Sequence, residues 1–111
     1  MQTSLNSTDV AEVLKISEQF SGSINKIYLF GSFARGEETP DSDIDFYYVF
    51  DDGTEVFRTL AKIDTAIFFN DAIVREIDTV GSTVSEFSRA CNYSFSLEKT
   101  VFKEGVLIYG R

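Results

Sequence analysis

The chain predicts an α+β domain, a mixed β-sheet of about four strands with helices packed against it. Three observations point to that class. Short runs rich in β-branched and aromatic residues alternate with segments whose apolar residues recur at spacings of three and four. Clusters of Gly, Pro, Ser and Asp punctuate the joins between them. Hydrophobic residues make up 43% of the chain, with eleven Phe and five Tyr, so 111 residues hold enough apolar volume for a real core. No repeat, low-complexity tract or linker interrupts this pattern, and residues 1–111 are expected to form a single domain.

Taken in order, Ser7 to Phe20 reads as a helix, with Ser7 or Thr8 as N-cap and Val10, Val13, Leu14 and Phe20 on or near one face. Ser21-Gly22-Ser23 ends it, and Ile24 to Phe30 reads as a strand. Gly31-Ser32 turns the chain into a short helical segment that stops at Gly36. Thr39-Pro40-Asp41 is a turn, because Pro40 disfavours helix at the residue before it. Asp43 to Phe50 is a second strand, closed by Asp51-Asp52-Gly53 and expected to lie beside the first. Glu55 to Phe69 is a helix, with Val56, Leu60, Ile63 and Ile67 on one face. Ile73 to Val80 is a third strand, Thr83 to Cys91 and Ser96 to Lys103 are helices, and Val106 to Tyr109 is a last short strand.

Composition excludes several chemistries. The chain has no His, which removes His-based triads, His-ligated zinc and His acid–base catalysis together. The single Cys91 cannot form an internal disulfide and reads as a small buried hydrophobe. No apolar run approaches the roughly 20 residues of a membrane span, and no signal-peptide pattern opens the chain, so a cytoplasmic location and no membrane association are expected. The net charge is −8, and no basic patch offers itself to phosphate backbones, which argues against direct nucleic-acid binding. Acids concentrate at Glu37, Glu38, Asp41, Asp43, Asp45, Asp51, Asp52 and Glu55, with no Lys or Arg between them. A solvated loop accounts for most of these. It does not account for Asp43 and Asp45 at the start of a hydrophobic strand, where divalent cations would relieve the repulsion.

The informative segment runs from Gly31 to Asp45: a Gly-Ser pair, ten residues, then Asp-x-Asp, with strand-like runs on both sides. Alternation along a strand puts Asp43 and Asp45 on one face and Ile44 on the other. Their Cα atoms then lie roughly 6–7 Å apart, so both carboxylates can serve one ion or bridge two held about 3.5–4 Å apart. An oxygen-only donor set favours a hard cation, and with nucleotide chemistry that cation is Mg2+. Gly31 permits a tight turn and close approach of backbone to ligand. Ser32 opens the short helix, where its N–H and hydroxyl can donate to phosphate oxygens. Arg35, one turn later, either adds a cationic contact or pairs with neighbouring acids on the surface. A Gly-Ser pair or an Asp-x-Asp alone carries little information, whereas the joint spacing between two strands is specific.

This segment resembles the signature of the DNA polymerase beta-like nucleotidyltransferase superfamily, which also holds the kanamycin nucleotidyltransferases. Within it the chain is most similar to the minimal nucleotidyltransferase (MNT) domains, in length, in the Gly-Ser-x10-Asp-x-Asp pattern and in the closing Glu104-Gly105-Val106-Leu107-Ile108-Tyr109. The resemblance implies a nucleotidyltransferase fold and an antitoxin of the HEPN/MNT type, paired with a HEPN-domain toxin in a hetero-oligomer. It further implies Mg2+-dependent transfer of AMP from ATP to a hydroxyl of that toxin, a tyrosine in some members. Asp43 and Asp45 are then the catalytic metal ligands, and Gly31 and Ser32 hold the nucleotide. The family takes a third carboxylate from a later strand, for which Asp78 is favoured over Asp64, because periodicity puts Asp64 on a helix. The family more often has a hydrophobic residue after this Asp, where this chain has Thr79. The chain ends directly after its last strand, so the acceptor is expected to come from another protein. Two other readings fit the resemblance: an antitoxin acting by contact alone, and the transfer subunit of a small-molecule-modifying complex.

Overall fold

Every side chain from Phe46 to Phe50 is buried, as is Ile44, and the strand they form, Ile44–Phe50 (β2), accordingly lies inside the sheet rather than at its edge. In the computed structural model, which describes residues 7–111, β2 pairs antiparallel with Ile24–Phe30 (β1) and parallel with Ile77–Thr83 (β3). Val106–Gly110 (β4) adds antiparallel to the other side of β1, giving a four-stranded mixed sheet in the order β3-β2-β1-β4. A parallel pair needs a crossover, and the helix Val56–Phe68 (α3) supplies it between β2 and β3. The remaining helices are Thr8–Ser17 (α1), Ser32–Arg35 (α2), Val84–Ala90 (α4) and Leu97–Glu104 (α5), with a 3-10 turn at Glu18–Phe20.

Alternation along β2 sorts the interior into two cores. Ile44, Phe46, Tyr48 and Phe50 face α1 and α3 and pack with Val13, Ile27, Leu29 and Ile63. Tyr47 and Val49 face α4 and α5 and pack with Tyr28, Phe87 and Val101. The ring of Phe87 stacks on Tyr28 at 5.8 Å and tilts against Tyr47 at 5.3 Å. Both buried tyrosines of β2 satisfy their hydroxyls. Tyr48 donates to Ser17 Oγ at 2.7 Å, while Ser17 donates to the Val13 carbonyl. Tyr47 donates to Glu98 Oε2 at 2.7 Å and accepts from Ser82 Oγ at 2.8 Å, tying α5 and β3 to the central strand. Burial, before the bond to Glu98, raises the Tyr47 pKa, so the phenol stays neutral.

The sheet and helices agree with the sequence reading, with local differences. The third strand starts at Ile77 rather than Ile73 and runs on to Thr83. Residues 73–76 do not pair as strand because the amides of Val74 and Arg75 donate to the carboxylate of Asp9, a buried residue of α1. The extension past Val80 depends on Gly81, where any Cβ would stand 2.9 Å from the Tyr48 carbonyl and 3.0 Å from the Phe50 ring. Thr83 then caps α4 in a reciprocal pair with Glu86. Ser7 takes the N-cap position of α1 without a side-chain bond to it, and Ser17 ends that helix. Cys91 is half-buried against the second core rather than fully buried. No helix among the described residues is long and apolar enough to cross a membrane.

Candidate active site

The register of the parallel pair sets the site. Asp45 of β2 stands directly beside Asp78 of β3, and the next residues, Phe46 and Thr79, pair in turn. Both carboxylates therefore project to the face covered by α4 and α5, at the end where that cover stops short of them. Asp43 lies one residue ahead of β2 and is exposed; the strand begins at Ile44, whose amide donates to the Glu76 carbonyl at 3.0 Å. Asp64 lies on α3, as its periodicity predicts, and accepts from Thr79 Oγ1 at 2.6 Å on the opposite face of β3. Asp78, and not Asp64, shares a face with Asp45.

Asp45 is half-buried and its pKa is raised to about 6. Loss of water at the strand end is the largest cause, followed by the charge of Asp78, a carboxyl–carboxyl hydrogen bond to it, and the charge of Asp43. Charge on both carboxylates is mutually repulsive, and a cation between them would relieve it. Arg35, whose charge works weakly the other way, places its Nε on Glu37 at 2.7 Å. The structure thus realises the surface-pairing alternative for that residue.

Gly31 forms the floor beneath Asp45. It links β1 to α2 with φ 76° and ψ −154°, and a Cβ there would fall well inside 3.0 Å of Asp45 Oδ2. Only glycine lets the carboxylate lie against the backbone at this point. Ser32 opens α2, and Gly36 closes it in the left-handed conformation. Gly31, Ser32, Asp45 and Asp78 are thereby gathered at one end of the sheet, with Phe30 opposite Asp45 in the antiparallel register.

An oxygen-only set with a facing carboxylate pair fits a hard cation, and the glycine floor fits a ligand that approaches backbone closely. As they lie, no three acidic side chains among the described residues gather tightly enough to enclose an ion. Asp45 and Asp78 form the pair, and Asp43 stands at the exposed rim. Two open clefts border this end. One, about 480 Å³, reaches from Pro40 and Asp43 to Arg75; the other, about 460 Å³, reaches from Asp64 and Phe68 to Asp78. Arg75 and Glu76 line both. The motif points to Gly31, Ser32, Asp43 and Asp45, and the family resemblance to Asp78; neither points to Asp9 or Arg75. Asp9 reads locally as an ordinary acid in the first turn of a helix, and Arg75 belongs to no motif.

A mixed four-stranded sheet with a Gly-Ser turn and facing carboxylates on adjacent strands is an arrangement suited to nucleotide transfer. Residues 10–108 match the nucleotidyltransferase domain family, and the chain belongs to it. A relative from Methanocaldococcus jannaschii is 32% identical over 94 residues, covering 85% of this chain and 87% of that protein, and is named, provisionally, a protein adenylyltransferase. The chain is a nucleotidyltransferase. Solved structures share the fold. One, described provisionally as a nucleotidyltransferase from Sulfolobus solfataricus, superposes with a TM-score of 0.58 at 22% identity, over 97% of this chain and 88% of that one. A toxin–antitoxin with AMP-PNP gives 0.62 at 20% identity, over 91% and 73%. A mutant of the toxin–antitoxin MntA–HpeT gives 0.61 at 20% identity, over 95% and 75%.

Proposed function

We propose that this protein transfers AMP from ATP to a hydroxyl, in the first instance a tyrosine, of a partner HEPN-type toxin and so acts as its antitoxin in a hetero-oligomer. The observation that carries the reading is the Asp45–Asp78 pairing over the Gly31 floor. Two facing carboxylates beside a glycine turn support reading this end of the sheet as the transfer site. The relative named as a protein adenylyltransferase supports a protein acceptor, and the toxin–antitoxin fold neighbours support the kind of partner. Large exposed apolar side chains at Tyr93, Phe95 and Phe102, and at Phe68 and Phe69 where α3 ends, support a protein partner.

In this reading Asp43, Asp45 and Asp78 would hold Mg2+. When bound, such an ion neutralises the triphosphate and the charge that develops as pyrophosphate leaves. The chain's own groups do the rest. Gly31 and Ser32 present backbone N–H groups and a hydroxyl to the phosphates, which orients the α-phosphorus for in-line attack. Asp78, exposed at the cleft that reaches Phe68, accepts the proton of the incoming hydroxyl. The exposed rim position of Asp43 makes it the residue to test. Asp43→Asn keeps size and fold but offers an amide, a poorer ligand for a hard cation. Transfer should fall by several orders of magnitude, on the order of several kcal/mol in the transition state. Partner binding should survive. Mass spectrometry of the co-expressed partner and its toxicity in cells read the outcome. Full protection by the variant, with an unmodified partner even beside wild type, would reject catalysis in favour of inhibition by contact.

A further inference from the structure

We propose that Arg75 is a positioning residue: it fixes the 36–43 loop to the body of the protein and thereby holds Asp43 at the active end of the sheet. This rests on the reading of Asp43 as a metal ligand. No helix or strand spans the residues between Arg35 and Ile44, so the backbone of Asp43 takes its place from contacts alone. Within the loop, the Ser42 amide donates to the Thr39 carbonyl at 3.0 Å and the Thr39 amide donates to Ser42 Oγ at 2.8 Å. Those bonds close a turn upon itself without fastening it to anything.

Arg75 provides the fastening. Its Nη1 donates to the carbonyls of Thr39 at 2.8 Å and Ser42 at 2.9 Å, and its guanidinium carbon sits 4.8 Å from the ring centroid of Phe33 in α2. In a strongly acidic neighbourhood, this cation makes no ion pair among the described residues; its hydrogen bonds go to two carbonyls. Two acceptors and a ring face together fix the plane of the guanidinium, which the point charge of a lysine could not do. The arginine backbone is itself anchored. Asp9, 4% exposed, accepts from the amides of Arg75 at 2.9 Å and Val74 at 3.2 Å. On the other flank, the Ile44 amide donates to the Glu76 carbonyl. Asp43 is therefore bracketed, its preceding carbonyl held by residue 75 and its following amide by residue 76.

The test compares wild type, Arg75→Met and Arg75→Lys as full chains. Amide hydrogen exchange reads the loop, Mn2+ titration by electron paramagnetic resonance reads the metal ligands without nucleotide or acceptor, and thermal melting reads the global fold. In Arg75→Met, exchange should rise about ten-fold at residues 36–44 and stay unchanged in the core strands. Mn2+ affinity should drop about 10–100-fold, the range seen when a support of a metal ligand is lost. AMP transfer should fall by a similar factor and recover in part at raised Mn2+, a rescue that a merely destabilised protein would not show. Arg75→Lys should resemble Arg75→Met rather than wild type. Wild-type exchange and Mn2+ affinity in Arg75→Met would overturn the proposal, as would a loss of protection spread evenly over the sheet. If wild type itself bound no Mn2+, the metal reading would fall and this role with it; binding by wild type that is equal in the variant would remove only the role of Arg75.

Discussion

Gly31→Ala tests the site through its backbone. At φ 76° and ψ −154° an L side chain is strained whatever surrounds it, at a cost of about 1–3 kcal/mol. The added Cβ would also fall well inside 3.0 Å of Asp45 Oδ2, with Asp45 Cγ at 3.4 Å. An ordinary carbon–oxygen approach is about 3.3 Å, so the carboxylate has to retreat on the order of 1 Å, at a further cost of about 1–3 kcal/mol. Because Asp45 sits at the open end of its strand, part of that clash relaxes, and a net loss of about 2–4 kcal/mol is expected. At about 4 °C per kcal/mol this is a fall of roughly 8–16 °C in Tm. A reacting group displaced by 1 Å costs about 100-fold in rate, and AMP transfer should drop by at least that.

Two controls separate strain from clash. Gly36 also has positive φ, 70°, but a Cβ there meets nothing within 4 Å. Gly36→Ala should therefore cost only about 1–2 kcal/mol and leave transfer intact. In an Asp45→Ala background the clashing atoms are gone, so Gly31→Ala should there cost only the backbone share. Urea unfolding of the four proteins in that cycle gives the coupling directly. An equal cost of Gly31→Ala in both backgrounds, or full transfer activity in the single variant, would refute the close packing of Gly31 on Asp45.

Two further outcomes follow from the carboxylates. Mg2+ should be required for ATP binding, with none detected by calorimetry in excess EDTA, and its affinity should fall as pH drops through about 6, where Asp45 takes up its proton. The sign for the metal-free protein is the reverse: the folded pKa lies above the unfolded value of about 4, so this group's stabilising contribution is full below that value and is lost as pH rises through about 6. Asp78→Asn should abolish transfer, whereas Asp64→Asn should cost only its exposed bond with Thr79, under about 1 kcal/mol, and leave transfer unchanged. Parallel transfer assays on the two variants decide between the carboxylates, and equal loss in both would undo the assignment by face.

What the sequence made legible is what local pattern encodes. The bounds of β1, the apolar run Phe46 to Phe50 of β2 and the three-and-four spacing of α3 needed no tertiary information. The Gly-Ser and Asp-x-Asp elements were visible because they sit in one continuous stretch from Gly31 to Asp45. The start of β3 was not legible, because Ile73 and Val74 have strand composition while the amides of Val74 and Arg75 go to an acid 65 and 66 residues away. The end of β3 was not legible either: it runs past Val80 through Gly81, the position where β3 passes close to β2. The sheet order, with β3 and β4 at opposite edges, is likewise a matter of long-range pairing.

The same division runs through the site. The residues proposed to carry the chemistry, Asp43 and Asp45, are neighbours in sequence, and a motif exposes them. The residues that set their geometry come from elsewhere: Asp78 from β3, Asp9 from α1, and Arg75 from the loop between α3 and β3. A short loop cannot place a ligand by itself, since each ordered residue costs roughly 1–2 kcal/mol of backbone entropy. Rigidity has to be imported from structure already fixed by the core. Here the import passes from a buried carboxylate on α1 to two amides, and from one guanidinium to two carbonyls. Arg75 holds the turn before Asp43 through neutral acceptors rather than through an ion pair, which leaves the carboxylate of Asp43 available for a cation.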